Sequence, residues 1–93
     1  MISLDKFDTL DEMLIKLANR FKRIRKIKKI SQQELAIRSN VSYGSIKRFE
    51  QTGEISLMSL AKLCETLDIK YEINNMFTKI PYNNIEEVLR DVK

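Results

Sequence analysis

The 93 residues carry 17 Lys/Arg against 13 Asp/Glu, a net charge of +4, with 43% apolar and 32% charged side chains; such a chain buries one core and folds as a globule rather than staying disordered. It has no His, a single Cys and no glycine-rich phosphate loop, which removes the commonest general base, the commonest zinc ligand, any intrachain disulfide and the usual activated thiol. The expectation is a protein that is not an enzyme and that uses neither metal nor cofactor. No apolar run approaches the length of a bilayer span, and the acidic, amphipathic start is unlike a secretory leader. With the lone Cys64 as a core filler, a cytoplasmic setting is expected.

Two glycines (Gly44, Gly53) and one proline (Pro81) leave few breaks, so helices dominate the reading. Thr9-Leu10-Asp11-Glu12 is a capping box. Behind it Leu10, Met13, Leu14, Leu17, Phe21, Ile24 and Ile27 follow three-and-four spacing, which predicts a first helix to about Lys28 with a basic cluster on its opposite face. Ser31-Gln32-Gln33-Glu34 is a second capping box, opening a helix to about Arg38 with Leu35 and Ala36 inward. Asn40 accepts the left-handed conformation that stops a helix, and Val41 is the buried plug of the turn. Ser42 caps a third short helix, Tyr43 to about Glu50, with Ile46 and Phe49 inward. After the turn Thr52-Gly53-Glu54, Ser56 caps a fourth, Leu57 to about Leu67, whose stripe is Leu57, Leu60, Leu63/Cys64 and Leu67. From Asp68 to Phe77 a fifth helix is preferred, although Ile69-Lys70-Tyr71-Glu72-Ile73 also alternates as a strand would. Beyond Pro81, Asn84 is the expected cap of a terminal helix bearing Ile85, Val88, Leu89 and Val92.

Charge is unevenly spread along these elements. From Lys16 to Arg48 there are eleven basic residues and one acid, Glu34, a net of +10. The rest of the chain holds six basic and twelve acidic residues, a net of −6. A basic zone on an otherwise acidic molecule points to a polyanion. Charge by itself leaves nucleic acid and an anionic membrane surface both open.

Two short helices separated by a three-residue turn, with small Ala36 in the first and Val41 in the turn, have the geometry of a helix-turn-helix, whose second helix enters the major groove. Ile24-Arg25, Ile30-Ser31-Gln32-Gln33-Glu34-Leu35-Ala36, Val41-Ser42-Tyr43-Gly44-Ser45-Ile46, Phe49-Glu50 and Leu57-Ser59-Leu60-Leu63-Leu67 then complete a resemblance. The segment from about Phe21 to Ile69 resembles the phage-repressor-like (XRE) helix-turn-helix family, with Asn40 where that family usually has Gly. The resemblance implies an all-α, five-helix lambda-repressor-like bundle over residues 1–70, with 71–93 as a short C-terminal helical extension for dimer or partner contact.

Position by position, the resemblance implies roles on double-stranded DNA. Gln32 would contact a phosphate and brace the recognition helix, and Ser42, Tyr43, Gly44, Lys47 and Arg48 would face the groove. Arg48 is the candidate for a bidentate guanine contact, worth about 1–3 kcal/mol of discrimination. Tyr43 would meet a thymine methyl or a phosphate, with packing against the first helix as the alternative. Lys28, Lys29, Arg38 and Thr52 are candidate backbone contacts. Arg25 and Glu50 match positions that form a buried structural ion pair in some family members.

One such module makes little contact, so a homodimer on a palindromic operator is expected. The stretches Arg48–Leu57 and Tyr71–Thr78, followed by Ile85–Val88, further resemble the HipB-like antitoxins encoded beside HipA-type kinase toxins. Three readings remain from the sequence: an autoregulating repressor with a kinase partner, a stand-alone phage- or host-type repressor, and a protein- or membrane-binding adaptor using the basic face.

Overall fold

The computed structural model describes residues 8–79 and 89–90. Five helices follow one another: α1 (Leu10–Ile27), α2 (Gln32–Ser39), α3 (Tyr43–Thr52), α4 (Leu57–Thr66) and α5 (Lys70–Asn74). Among the described residues there is no strand, and the alternating stretch is helical from Lys70 on, with Ile69 as the N-cap. The fold is the expected all-α bundle.

Each long helix starts where a side chain can accept an otherwise orphaned amide. Thr9 Oγ1 accepts from Glu12 N at 3.1 Å while Glu12 Oε2 accepts from Thr9 N at 3.4 Å, closing the first capping box. Ser31 Oγ accepts from Glu34 N at 3.0 Å. The Glu34 carboxylate takes a bond from Arg38 Nη2 at 2.7 Å, one turn on, instead of reaching back to complete the second box. Ser42 and Ser56 cap α3 and α4 in the same way. Asn40 ends α2 at φ 60°, its amide bonded to the Ala36 carbonyl at 3.1 Å.

The core gathers Ala18, Phe21, Leu35, Val41, Ile46, Phe49, Leu63, Cys64, Leu67 and Ile69. Phe21 and Phe49 meet edge to face, with ring centroids 5.2 Å apart and planes at 66°. Gly53 joins α3 to α1 at close quarters: its φ is +82°, and a Cβ there would stand 2.5 Å from Leu14 Cβ and 2.6 Å from the Leu14 carbonyl carbon. Only a residue without a side chain fits both the backbone angle and the approach.

Several expected inward residues lie elsewhere. Leu10, Met13, Leu17 and Ile27 of α1 are exposed, and Ala18 and Arg25 are buried in their place. The buried line 18-21-25 is turned to one side of the predicted stripe, so Leu10, Met13 and Leu17 stay exposed while Leu14 lies against Gly53. Leu57, the first residue of α4, is exposed because the helix reaches the core only from Leu60 onward. The fifth helix is also shorter than expected. Asp68 and Phe77 both take φ 60°, which bounds α5 and leaves Phe77 exposed. The terminal helix expected after Asn84 lies outside the described residues except for Leu89 and Arg90, which are helical and exposed.

Candidate nucleic-acid interface

The α2–α3 pair is locked by a polar cluster at its junction with α1. Arg25 on α1 donates from Nε to Glu50 Oε2 at 2.7 Å and from Nη2 to Glu50 Oε1 at 2.9 Å. Its remaining nitrogen, Nη1, donates to the Ile30 carbonyl at 2.8 Å, which ties down the loop that enters α2. Gln32, the first residue of α2, donates from Nε2 to Glu50 Oε1 at 2.9 Å. The ionic side chains are 8% and 2% exposed, so the pair is dry and bidentate. Three elements therefore meet on one carboxylate, and the tilt of α3 against α2 is set by directional bonds rather than by packing alone.

The outward surface of α3 carries Ser42, Tyr43, Gly44, Lys47 and Arg48, all exposed. Tyr43, Lys47 and Glu50 fall at four- and three-residue spacing, so the outward stripe borders the buried cluster. Lys47 Nζ lies 5.3 Å from the centroid of the exposed Tyr43 ring, a cation–π contact on the outer surface of α3. A Cβ on Gly44 would meet nothing within 4 Å. Nothing inside the chain requires glycine there, and the bare backbone faces outward. Ser42 Oγ is engaged at the cap with Ser45 N at 3.1 Å and Ser45 Oγ at 2.7 Å.

Arg48 has an internal partner that its sequence context does not reveal. Its Nη2 lies 2.7 Å from Glu54 Oε2, an exposed ion pair across the end of α3. Thr52 is spoken for as well: its hydroxyl donates to the Arg48 carbonyl at 2.8 Å and accepts from Glu54 N at 3.1 Å. Arg38 is paired with Glu34. Lys28 caps the end of α1, and Lys29 turns the chain at φ 60° into α2. Both lysine side chains are exposed beside the α2 N-terminus, a place where free amides and the helix dipole favour phosphate. The outer face of α1 adds a shallow basic hollow lined by Asn19, Lys22, Arg23 and Lys26. The charge count along the chain marks these cations, and helical spacing brings Lys22, Arg23 and Lys26 together on α1.

Among the described residues no group of His, Cys, Asp and Glu could hold a metal ion. Cys64 is buried, and desolvation, followed by the nearby Glu72 charge, pushes its thiol up from the ordinary value. A thiol in that state is a weak nucleophile.

A two-helix unit braced from behind by a buried polar cluster, with a solvated face of small, aromatic and basic residues, suits insertion into a groove. The model of the Cro/C1-type HTH DNA-binding domain matches residues 20–72, from the middle of α1 through most of α5. The chain belongs to this Cro/C1-type helix-turn-helix family. Membership makes residues 20–72 a DNA-binding domain of the helix-turn-helix type. No curated protein matches the chain as a relative. Among the described residues no helix is long and apolar enough to cross a membrane.

Proposed function

We propose that this Cro/C1-type protein is a sequence-specific transcriptional repressor that binds a palindromic operator as a homodimer and controls its own operon in the cytoplasm, at the nucleoid. The bracing of α3 by Glu50, Arg25 and Gln32 carries this reading, because bases are read only by a helix held at a fixed tilt. Ser42, Tyr43, Gly44, Lys47 and Arg48 are assigned to the groove, with Arg48 reading guanine. Gln32, Lys28, Lys29, Arg38 and Thr52 are assigned to the backbone. Arg48 exchanges Glu54 for a base edge on binding, and Arg38 exchanges Glu34 for a phosphate. Both pairs are exposed, and breaking such a pair costs only about 0–1 kcal/mol.

The repressor role extends to that of an antitoxin with a HipA-type kinase toxin as partner. This extension is supported by the likeness of 48–57 and 71–78 to HipB-like antitoxins, with residues 71–93 as the contact segment. It requires a stable complex with such a kinase and fails if none forms.

Binding to the duplex upstream of the protein's own gene and to a scrambled duplex, at about 50 and 200 mM salt, tests the central claim. Affinity for both should fall about 10³-fold or more over that range as phosphate counterions are released. Preference for the native duplex, lost in Arg48→Ala, is the expected result. Equal binding to the two duplexes would overturn it and return the basic face to an adaptor role.

A further inference from the structure

Beside the Phe21–Phe49 contact a cavity of about 340 Å³ opens between α1, α4 and α5. Phe21, Phe49, Leu60 and Ile73 are among its walls, and Cys64 lies within it. None of Ser42, Tyr43, Gly44, Lys47 or Arg48 lines it, so whatever fills it leaves the reading face free. The apolar surface continues past the opening: Leu10, Met13 and Leu17 run along α1 from it, and Tyr71, Met76 and Phe77 stand exposed around α5. Large exposed apolar side chains gathered on the helices that wall a cavity suit an interaction site.

Two charges decide what fits. Arg20 on α1 and Glu72 on α5 line the same cavity, yet neither has an ion-pair partner among the described residues. One wall offers a lone cation and the other a lone anion. A surface of this form is complementary to itself under a twofold axis, where residue i meets j and j meets i. We infer that this cavity seats a second copy of the chain, with Arg20 of each protomer facing Glu72 of the other across an apolar centre. The inference rests on the homodimer reading above and gives that dimer its surface.

Charge reversal in the full-length chain, read by native mass spectrometry and sedimentation without DNA, tests it. Arg20→Glu and Glu72→Arg each place like charges together twice per dimer. Each should weaken dimerisation by about tenfold or more, while the double variant R20E/E72R returns to near the wild-type value. Thermal unfolding by circular dichroism checks that all three variants keep the fold. A dimer that ignores both single reversals, or single losses that the double variant does not restore, overturns the groove while leaving the homodimer reading intact. A wild-type chain that stays monomeric at about 100 μM, or that carries a small apolar molecule as added mass, also overturns the groove. Stoichiometry on the palindromic duplex then decides the homodimer reading separately, because one protomer per operator would end it.

Discussion

The α1–α3 seam is closed by opposite chemistries at two places. At one, Arg25, Glu50 and Gln32 make four directional bonds to each other and to the Ile30 carbonyl, and among the described residues no buried side-chain polar atom is left unpartnered. At the other, Phe21 and Phe49 meet edge to face and open onto an apolar cavity. An aromatic pair of this kind adds about 0.5–1.5 kcal/mol beyond the area it buries. A buried ion pair often adds little net stability against well-packed apolar residues, but it permits one geometry. The place that borders the reading face is the one fixed by directional bonds. The aromatic contact is the one that borders the cavity proposed to seat a second copy.

The largest effect should come from splitting the ion pair. Glu50→Ala strands the Arg25 guanidinium in a dry site and should cost about 3–5 kcal/mol, much of the 5–15 kcal/mol typical of a domain. Chemical denaturation reads it. The comparison is sharpened by the double variant Arg25→Met/Glu50→Leu, which should recover most of that stability while operator preference stays lost. If the double variant reads the operator like wild type, the polar cluster has no orienting role. At the aromatic contact, Phe21→Ala should cost about 3 kcal/mol, the low end for such a truncation, because the ring already borders open space. Its operator preference, measured where the variant is folded, should match wild type.

A smaller change isolates the brace from the charge. Gln32→Ala leaves Glu50 bonded to Arg25 and removes one bond to a carboxylate, for about 1–2 kcal/mol of stability. Its main effect belongs on DNA, where both the phosphate contact assigned to Gln32 and the tilt of α3 are lost. An unchanged preference between operator and scrambled duplex would confine Gln32 to a stabilising role.

What the sequence shows in advance divides along the same line of locality. The caps at Thr9, Ser31, Ser42 and Ser56 and the left-handed stop at Asn40 are readable because each depends on bonds within a few residues. The link between Arg25 and Glu50 spans 25 positions and has no local signature; only the family resemblance suggests it. Periodicity identifies the apolar stripe of α1, but coverage depends on where α3 lies, so Leu10, Met13 and Leu17 stay bare. Gly53 reads as an ordinary turn glycine until the Leu14 backbone is found against it. Of the left-handed residues bounding α5, Asp68 is a type that accepts that conformation, whereas Phe77 is one that rarely does. The partners of exposed charges are the least legible of all: Glu34 turns to Arg38 rather than its cap, and Glu54 lies on Arg48.

That last pair gives the smallest and most discriminating test. Arg48 and Glu54 are 68% and 58% exposed, so Glu54→Gln should leave stability within about 0.5 kcal/mol of wild type. On DNA the sign is set by charge. Removing a carboxylate beside the recognition helix lowers repulsion from the phosphates, and Arg48 no longer leaves a charged partner to reach a base. Binding to operator and scrambled duplexes should both tighten, by up to about fivefold, in a filter or fluorescence titration at low salt. A loss of operator binding with the scrambled duplex unchanged would reverse the assignment. Glu54 would then be a positioning group that aims the Arg48 guanidinium, and the reading surface would extend past the C-terminal end of α3.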